Sequence, residues 1–474
     1  MRAAPPPPAA SLPHRLALRE AHGRRLSPRL LSDLSSLRWR ALALSLHTEL
    51  APSHSSAVTT LSLDPLASRY LLSGAADASL ALYDLPDLPS PPSSHPPAPT
   101  PPLAFLTPHH DGVHTRALSS VQWLPRDTGA FLTAGRDGLV ALWDTSRLAA
   151  ACTFPLAAAV ASAALSSAPA APPLIAAASA AAVTLCDPLS GAASHTLRGH
   201  AAAVAAVAWH PRQPHLLLSA AEDRSIRVWD VRRANACVRC LSMHDTREER
   251  ARRGGGGGAA GGEAHRAGVT SLAFSADGAV LVSAGRDHRL RLWDADSGVH
   301  LNVHFAGATN TQRGMKQIAL SGGSSLHSTY IFFPSLEGIH TYALMSGKKT
   351  GVLKGHFGAT TCCVASAHGE RLFSGGDDST INAWTPPPCG VVRPSAAEQA
   401  FAAAPPPAAA PPWEYHPADG RPSTGGRGEA EAPPPRPVAA AADVDAWSDD
   451  EEAALGEAAR ARTPAVRRKR RRGS

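Results

Sequence analysis

Five histidines in this 474-residue sequence stand in one register with a hydroxyl, a carboxylate and an aromatic ring. One set is His114, Thr133, Asp137 and Trp143, and a second is His200, Ser219, Asp223 and Trp229. A third is His265, Ser283, Asp287 and Trp293, and a fourth is His356, Ser374, Asp378 and Trp384. His54, Ser73 and Asp77 repeat the spacing with Tyr83 at the aromatic position. In every set Asp follows the hydroxyl by 4 residues and precedes the ring by 6, and His precedes the hydroxyl by 18 or 19. A histidine and a carboxylate in register could be a catalytic pair. Five copies of one active site would be strange chemistry. A hydroxyl, an imidazole, a carboxylate and an indole N–H can also form a hydrogen-bonded chain that locks strands to a turn, and buried polar groups need such partners. The register therefore reads as a set of structural tetrads, with no catalytic residue expected.

Other reactive residues point to little chemistry. Cys237 and Cys240 form a CxxC with His244 nearby, but no second pair has metal-ligand spacing, so no metal is expected. Cys362-Cys363 alternates across a strand, with at least one side chain in the core. No P-loop, GxSxG, HExxH or kinase signature is present, and the glycine run at 254–258 follows no strand and opens no helix, so no cofactor is expected. Seven cysteines without disulfide spacing, and no secretory apolar run in MRAAPPPPAA, read as reduced thiols in the cytosol or nucleus. No window of 18 strongly apolar residues suggests a membrane span.

The elements that must hold these tetrads follow from their repetition. Tyr83, Trp143, Trp229, Trp293 and Trp384 leave two gaps, filled by Cys186 and Tyr342, each ending an alternating run and followed by Ser-Gly at the offset seen after Trp293. The seven anchors recur with a base period near 43 residues, lengthened by a proline-rich loop around 86–103 and by REERARRGGGGGAAGG at 247–262. Runs such as VAAVAW, HLLLSA and IRVWD alternate with period two between Gly, Asp and Asn turns. Four short strands per 43-residue unit is the signature of a propeller, so the fold expected is all-β, a seven-bladed β-propeller over 38–388. TPPPCG after Trp384 cannot supply the last outer strand. The alternating run RWRALALSLHTEL, 38–50, is the candidate to complete that blade and remove an open edge.

Outside the ring, residues 1–37 form a basic arm. Apolar residues at helical spacing over 11–36 suggest two short helices split at Pro28, formed on binding. Residues 389–474 are Pro/Ala-rich and expected to be disordered, with an acidic island at 443–453. Their basic end, Arg467, Arg468, Lys469, Arg470, Arg471 and Arg472, has two readings: a nuclear-import signal, the favoured one, which makes the nucleus the expected location, and a direct contact to nucleic-acid phosphate. The formal charge of +7 is concentrated early, with eight arginines against Glu20 and Asp33 in the first 40 residues. The near-neutral middle does not suggest nucleic-acid binding.

LDPLASRYLLSGAADASLALYDL (63–85), VQWLPRDTGAFLTAGRDGLVALWDT (121–145), SIRVWDVRRANAC (225–237) and VLKGHFGATTCCV (352–364) resemble the WD-repeat family. Within it they are similar to substrate receptors of cullin-RING ubiquitin ligases; the tail island DAWSDDEE (445–452) resembles an acidic end of that group. The long Pro/Ala tail, its basic end and the glycine loop depart from the pattern. The resemblance implies that Trp229, Asp230 and Arg232, a W-D-x-R at the end of one blade, dock on an adaptor, DNA damage-binding protein 1. It implies a similar role for the N-terminal arm as a segment. No other anchor here has arginine at offset three. Also implied are a non-catalytic role in transcription-coupled nucleotide excision repair, with the Cockayne syndrome group B translocase and stalled RNA polymerase II as partners. A generic WD-repeat scaffold in another nuclear complex is the alternative. An enzyme using the central channel would need carboxylates or metal ligands outside the repeat register, and none stand out.

Overall fold

Each period-two run folds as a short strand with one face against the next sheet. The computed structural model describes residues 28–45, 48–85, 99–108, 114–166, 174–233, 237–252, 262–310, 316–322, 326–367 and 370–387. Seven separate antiparallel sheets follow one another along the chain, so the seven-bladed β-propeller expected from the repeat is the observed fold.

Four strands, here a to d from the axis outward, build each of the first four blades. Blade 1 has Val58–Leu63, Tyr70–Ala75, Leu80–Asp84 and Ala104–Leu106, and blade 2 has Leu118–Trp123, Ala130–Gly135, Leu139–Asp144 and Ala149–Pro155. Blade 3 has Val160–Leu165, Ile175–Ser179, Ala182–Asp187 and Ala192–Arg198, and blade 4 has Val204–Trp209, Leu216–Ala221, Ile226–Asp230 and Cys237–Leu241. Blade 5 has three regular strands, Val269–Phe274, Val280–Gly285 and Arg289–Asp294. Its outer edge is an irregular run in which Asp294 N donates to Val299 O at 2.9 Å and Leu301 N to Leu292 O at 2.9 Å. Blade 6 has Ala319–Leu320, Tyr330–Ser335, Gly338–Ala343 and Lys349–Leu353, and blade 7 has Thr360–Ala365, Leu372–Gly376 and Ile381–Thr385.

The outer strand of blade 7 comes from the other end of the ring. Ala43–Leu44 pairs antiparallel with Ile381–Thr385, Ala43 opposite Thr385 and Leu44 opposite Trp384, and Ser45 N donates to Ala383 O at 2.8 Å. This strand is far shorter than the 38–50 run expected. Residues 38–40 belong instead to helix α1, Pro28–Arg40. Leu30, Leu34 and Leu37 recur at helical spacing, no β-branched residue interrupts them, and Pro28 opens the first turn, so the helix continues through RWR despite its alternation. Trp39, 2% exposed, anchors α1 against Phe332 with ring centroids 5.4 Å apart. Ser36 Oγ lies 2.6 Å from the Tyr330 hydroxyl, and Arg38 pairs with Glu370 at 3.2 Å. The first part of the arm, 11–27, and the tail beyond 387 lie outside the described residues.

Inner strands are stitched around the ring by side chains. Thr59 Oγ1 donates to Leu118 O at 2.6 Å, Ser120 Oγ to Ala163 O at 2.9 Å, and Trp209 Nε1 to Ala164 O at 3.0 Å. Gln317 of blade 6 reaches blade 1, donating to Leu61 O at 2.6 Å and accepting from Leu61 N at 3.0 Å. Because strands a to d alternate in direction, the a–b and c–d connections share one face of the ring. The b–c turns and blade-to-blade connections share the other. The tetrads occupy the second face; α1, leading into an outer strand, lies on the first.

Candidate functional site

The tetrads of blades 2, 4 and 7 close with one geometry. Trp143 Nε1 donates to Thr133 Oγ1 at 2.8 Å, Trp229 Nε1 to Ser219 Oγ at 2.7 Å, and Trp384 Nε1 to Ser374 Oγ at 2.8 Å. Each hydroxyl then meets the Nε2 of its histidine: His114 at 2.8 Å, His200 at 2.6 Å and His356 at 2.8 Å. The indole occupies a lone pair of the hydroxyl, so the hydroxyl proton goes to Nε2 and the ring proton sits on Nδ1, facing the carboxylate. The Nδ1 contacts are 3.1 Å to Asp137, 2.9 Å to Asp223 and 3.0 Å to Asp378. The carboxylates also cap the next connection, accepting from Thr115 N and Ala201 N at 2.9 Å each and from Phe357 N at 2.9 Å. Burial pushes these carboxyls up, but hydrogen bonds from histidine, hydroxyl and backbone outweigh it and hold Asp137, Asp223 and Asp378 below the ordinary value. Ser219 and Ser374 are fully enclosed, so no substrate carbonyl can reach their oxygens.

Blades 5 and 1 depart from that geometry. In blade 5, Trp293 Nε1, Ser283, His265 and Asp287 connect at 2.9, 2.7 and 2.9 Å. Arg291 enters as a fifth member, its Nη1 2.5 Å from His265 Nδ1 and 2.7 Å from Asp287. The signal in sequence is RLRLWD, with an arginine at the inward position two before Trp293, as Arg227 stands before Trp229. In blade 1, His54 Nε2 lies 2.7 Å from Ser73 Oγ, but Ser79 is interposed between His54 and Asp77, with His54 Nδ1 2.5 Å from Ser79 Oγ and Ser79 donating onward to Asp77. Tyr83 does not reach Ser73; its hydroxyl donates to Ala51 O at 3.1 Å or Ser53 Oγ at 3.0 Å. Burial, opposed by Asp77, pulls the His54 imidazole down to about 4.

On the opposite face, W-D-V-R divides between core and rim. Trp229 is buried in its tetrad, and the Asp230 side chain is only 5% exposed. Asp230 accepts from Arg232 Nε at 3.0 Å, Arg232 Nη2 at 2.9 Å and Arg232 N at 3.1 Å. The Arg232 side chain remains 61% exposed. Hydrogen bonding from Arg232, against some burial, brings the Asp230 carboxyl down to about 2. A bidentate guanidinium on a fixed carboxylate is a rigid, exposed cationic plate suited to an interface. Arg233, which carried no expectation, joins the same carboxylate at 3.5 Å. Blade 1 carries a second such clamp that the offset rule could not find, because its arginine precedes the anchor: Arg69 binds Asp84 at 2.7 and 2.8 Å.

On that face, between blades 5 and 6, a groove of about 620 Å³ is lined by Arg247, Glu248, Asp296, His300, Asn302 and Met345, among others. Both ring nitrogens of His300 are buried there without a partner. Among the described residues, no three His, Cys, Asp or Glu side chains are placed to hold a metal. Cys362 and Cys363 are both fully buried, since the inner strand of blade 7 is covered on both sides. Residues Arg467, Arg468, Lys469, Arg470, Arg471 and Arg472 lie outside the described residues.

A WD domain, G-beta repeat model matches residues 191–230, 262–294 and 347–385. The matches end on the third strands of blades 4, 5 and 7, and those beginning at 191 and 347 start beside the outer strand of the preceding blade. WD repeat-containing protein ATCSA-1 of Arabidopsis thaliana is 30% identical over 424 residues, 77% of this chain and 93% of the relative. Transducin beta-like protein 3 of Bos taurus is 36% identical over 117 residues, 24% of this chain and 12% of the relative. Human pre-mRNA-processing factor 17 is 24% identical over 196 residues, 40% of this chain and 28% of the relative. The last two are similar through a few repeats, whereas the similarity to ATCSA-1 runs through nearly its whole length. With that similarity added to seven blades, five of them carrying the recurring tetrad, this chain belongs to the WD-repeat family.

Proposed function

We propose that this chain is a counterpart of the Cockayne syndrome group A protein, a non-catalytic substrate receptor of a nuclear cullin-RING E3 ubiquitin ligase. The face bearing Arg232 and helix α1 docks on the adaptor, DNA damage-binding protein 1. The remaining surface presents a target in transcription-coupled nucleotide excision repair. The observation that carries the reading is the Asp230–Arg232 clamp: a buried carboxylate fixes an exposed guanidinium at the end of one blade. Extended similarity to ATCSA-1 supports it. Helix α1 supports it as well, since Trp39 pins the helix to the ring and leaves Leu37 and Arg40 outward on the same face.

The mechanism is proximity. The receptor holds substrate lysines near a ubiquitin-charged enzyme carried elsewhere in the assembly, raising their effective concentration without making a bond itself. The group B translocase and stalled RNA polymerase II are the partners this role implies, and the basic run at 467–472 is its route to the nucleus.

The test is affinity for purified DNA damage-binding protein 1, comparing wild type, Arg232→Ala and a chain lacking residues 1–36. Tight wild-type binding that weakens in both folded variants is the expected result. Absence of wild-type binding makes the ring a scaffold in another complex.

A further inference from the structure

Cys237 and Cys240 sit on the outermost strand of blade 4, both half-buried. On a regular strand, residues three apart point to opposite faces and stand about 10 Å apart, too far to bond. This strand is not regular. Its register shifts between Val228 and Trp229, so Cys237 pairs with Trp229 and Cys240 with Arg227. Three steps on the outer strand thus face two on its neighbour, and a bulge of this kind restores both thiols to one side. Two strand steps cover about 6.6 Å, within the ~4.4–6.8 Å that disulfides span between Cα atoms.

The neighbouring Cys240 thiol, with burial, holds the proton on Cys237, whose sulfur also lies 3.9 Å from Arg239 O. Arg227 Nη1 lies 3.8 Å from the Cys237 sulfur, a cation placed to favour negative charge on the pair. The strand is the free edge of its sheet, so it can shift as a bond forms. The remaining described cysteines lack this arrangement: burial pushes Cys186 up to about 11 and Cys362 up to about 12, no second thiol shares the strand of Cys186, and Cys362 and Cys363, though on one bulged strand, are adjacent and enter different core clusters.

We infer that Cys237 and Cys240 form a reversible dithiol–disulfide site, oxidised by low-molecular-weight disulfides of the glutathione class. The Cys240 thiolate attacks one sulfur of the small disulfide, breaking its S–S bond and releasing one small thiolate. The Cys237 thiolate then displaces the second small thiolate from the mixed disulfide. The protein pair loses two electrons, which the small disulfide gains. The two thiol protons leave on the two small thiols. A bridge near the upper limit of Cα separation is of the labile kind that a reducing compartment reopens.

The experiment incubates the full-length chain with excess glutathione disulfide, blocks remaining thiols by alkylation and maps tryptic peptides by mass. Cleavage after Arg239 separates the two cysteines, so their peptides stay joined only if the bridge has formed. The expected result is a joined pair lighter by two hydrogens, separated again by dithiothreitol. Cys237→Ser and Cys240→Ser should each lose the joined pair and carry a glutathione adduct on the remaining cysteine. Near-UV circular dichroism of the buried tryptophans checks that each chain is folded. Two freely alkylated thiols in folded wild type under excess oxidant would overturn the inference, as would a bridge to any other cysteine.

Discussion

Asp230 holds the Arg232 guanidinium by two parallel hydrogen bonds, at 3.0 and 2.9 Å, while its own side chain is almost closed to solvent. The carboxylate is thus a support for the arginine and not itself a contact surface. Arg232→Ala should leave the fold intact and weaken adaptor binding by about tenfold or more, the scale of an interface anchor near 2 kcal/mol. Asp230→Asn keeps the arginine but frees it, and should weaken binding less. Titration calorimetry on both variants orders the effects; equal affinities to wild type would reduce the clamp to surface decoration.

Loss of one tetrad hydroxyl should be felt as two stranded groups. In Ser374→Ala the indole N–H of Trp384 and Nε2 of His356 lose their shared partner. A buried polar group left unpaired costs about 1–3 kcal/mol, so denaturant unfolding should show a loss in that range or above. Ser79→Ala should be comparably costly in blade 1, where the serine alone links His54 to Asp77, whereas Ser225 in blade 4 only supplements the direct His200–Asp223 contact.

Stability should fall in two stages on acidification. His54 is held neutral, with its value drawn down to about 4. The unfolded chain therefore binds the proton first, and the contribution of this group, full above an ordinary histidine value near 6.5, is lost as pH falls toward 4. The tetrad carboxylates lie below their ordinary value near 4, so theirs is full above that pH and lost only at lower pH. Chemical denaturation between pH 8 and 3 should show an early slope that His54→Asn reduces and a later one that it leaves.

Two glycine substitutions separate backbone strain from packing. Ala180 sits exposed in the b–c turn of blade 3 at φ 51°, where a β-carbon is unfavourable. Ala180→Gly should raise stability by about 0.5–1 kcal/mol. Gly138, at φ 81° in the matching turn of blade 2, should not accept alanine, whose β-carbon would meet Leu156 O at 2.7 Å. Thermal melts should move in opposite directions.

Trp39→Ala should release α1 and with it the two-residue strand that follows. Removing a buried tryptophan costs about 3–5 kcal/mol. Hydrogen exchange at Ser45 N, which donates to Ala383 O, should accelerate more than exchange in blades 2 to 4.

Recurring hydroxyl, Asp and aromatic positions made the period readable, because five blades satisfy the same buried donors with the same side chains, and the Ser-Gly after Cys186 and Tyr342 supplied the other two. Proline after Trp384 likewise marked the missing outer strand. What escaped the sequence depends on partners distant along the chain or on single-residue register. Ser79 looks like any turn serine until His54 is folded beside it. Arg69 reaches Asp84 from a different loop, outside any motif offset. The bulge that unites Cys237 and Cys240 shows only in the pairing with Trp229 and Arg227. Residues 38–40 satisfy both a strand and a helix pattern, and the helix prevails through Trp39, whose pocket is built by blade 6.

The closing strand also sets the order in which this protein can be made. Ala43 leaves the ribosome early, yet its partner Thr385 follows some 340 residues later. At about 5–20 residues per second of synthesis, the strand waits for tens of seconds with its edge open. Every nascent chain therefore passes through a stage in which six blades exist and the seventh has its outer strand but not its inner three. No truncation short of Thr385 can complete the circle.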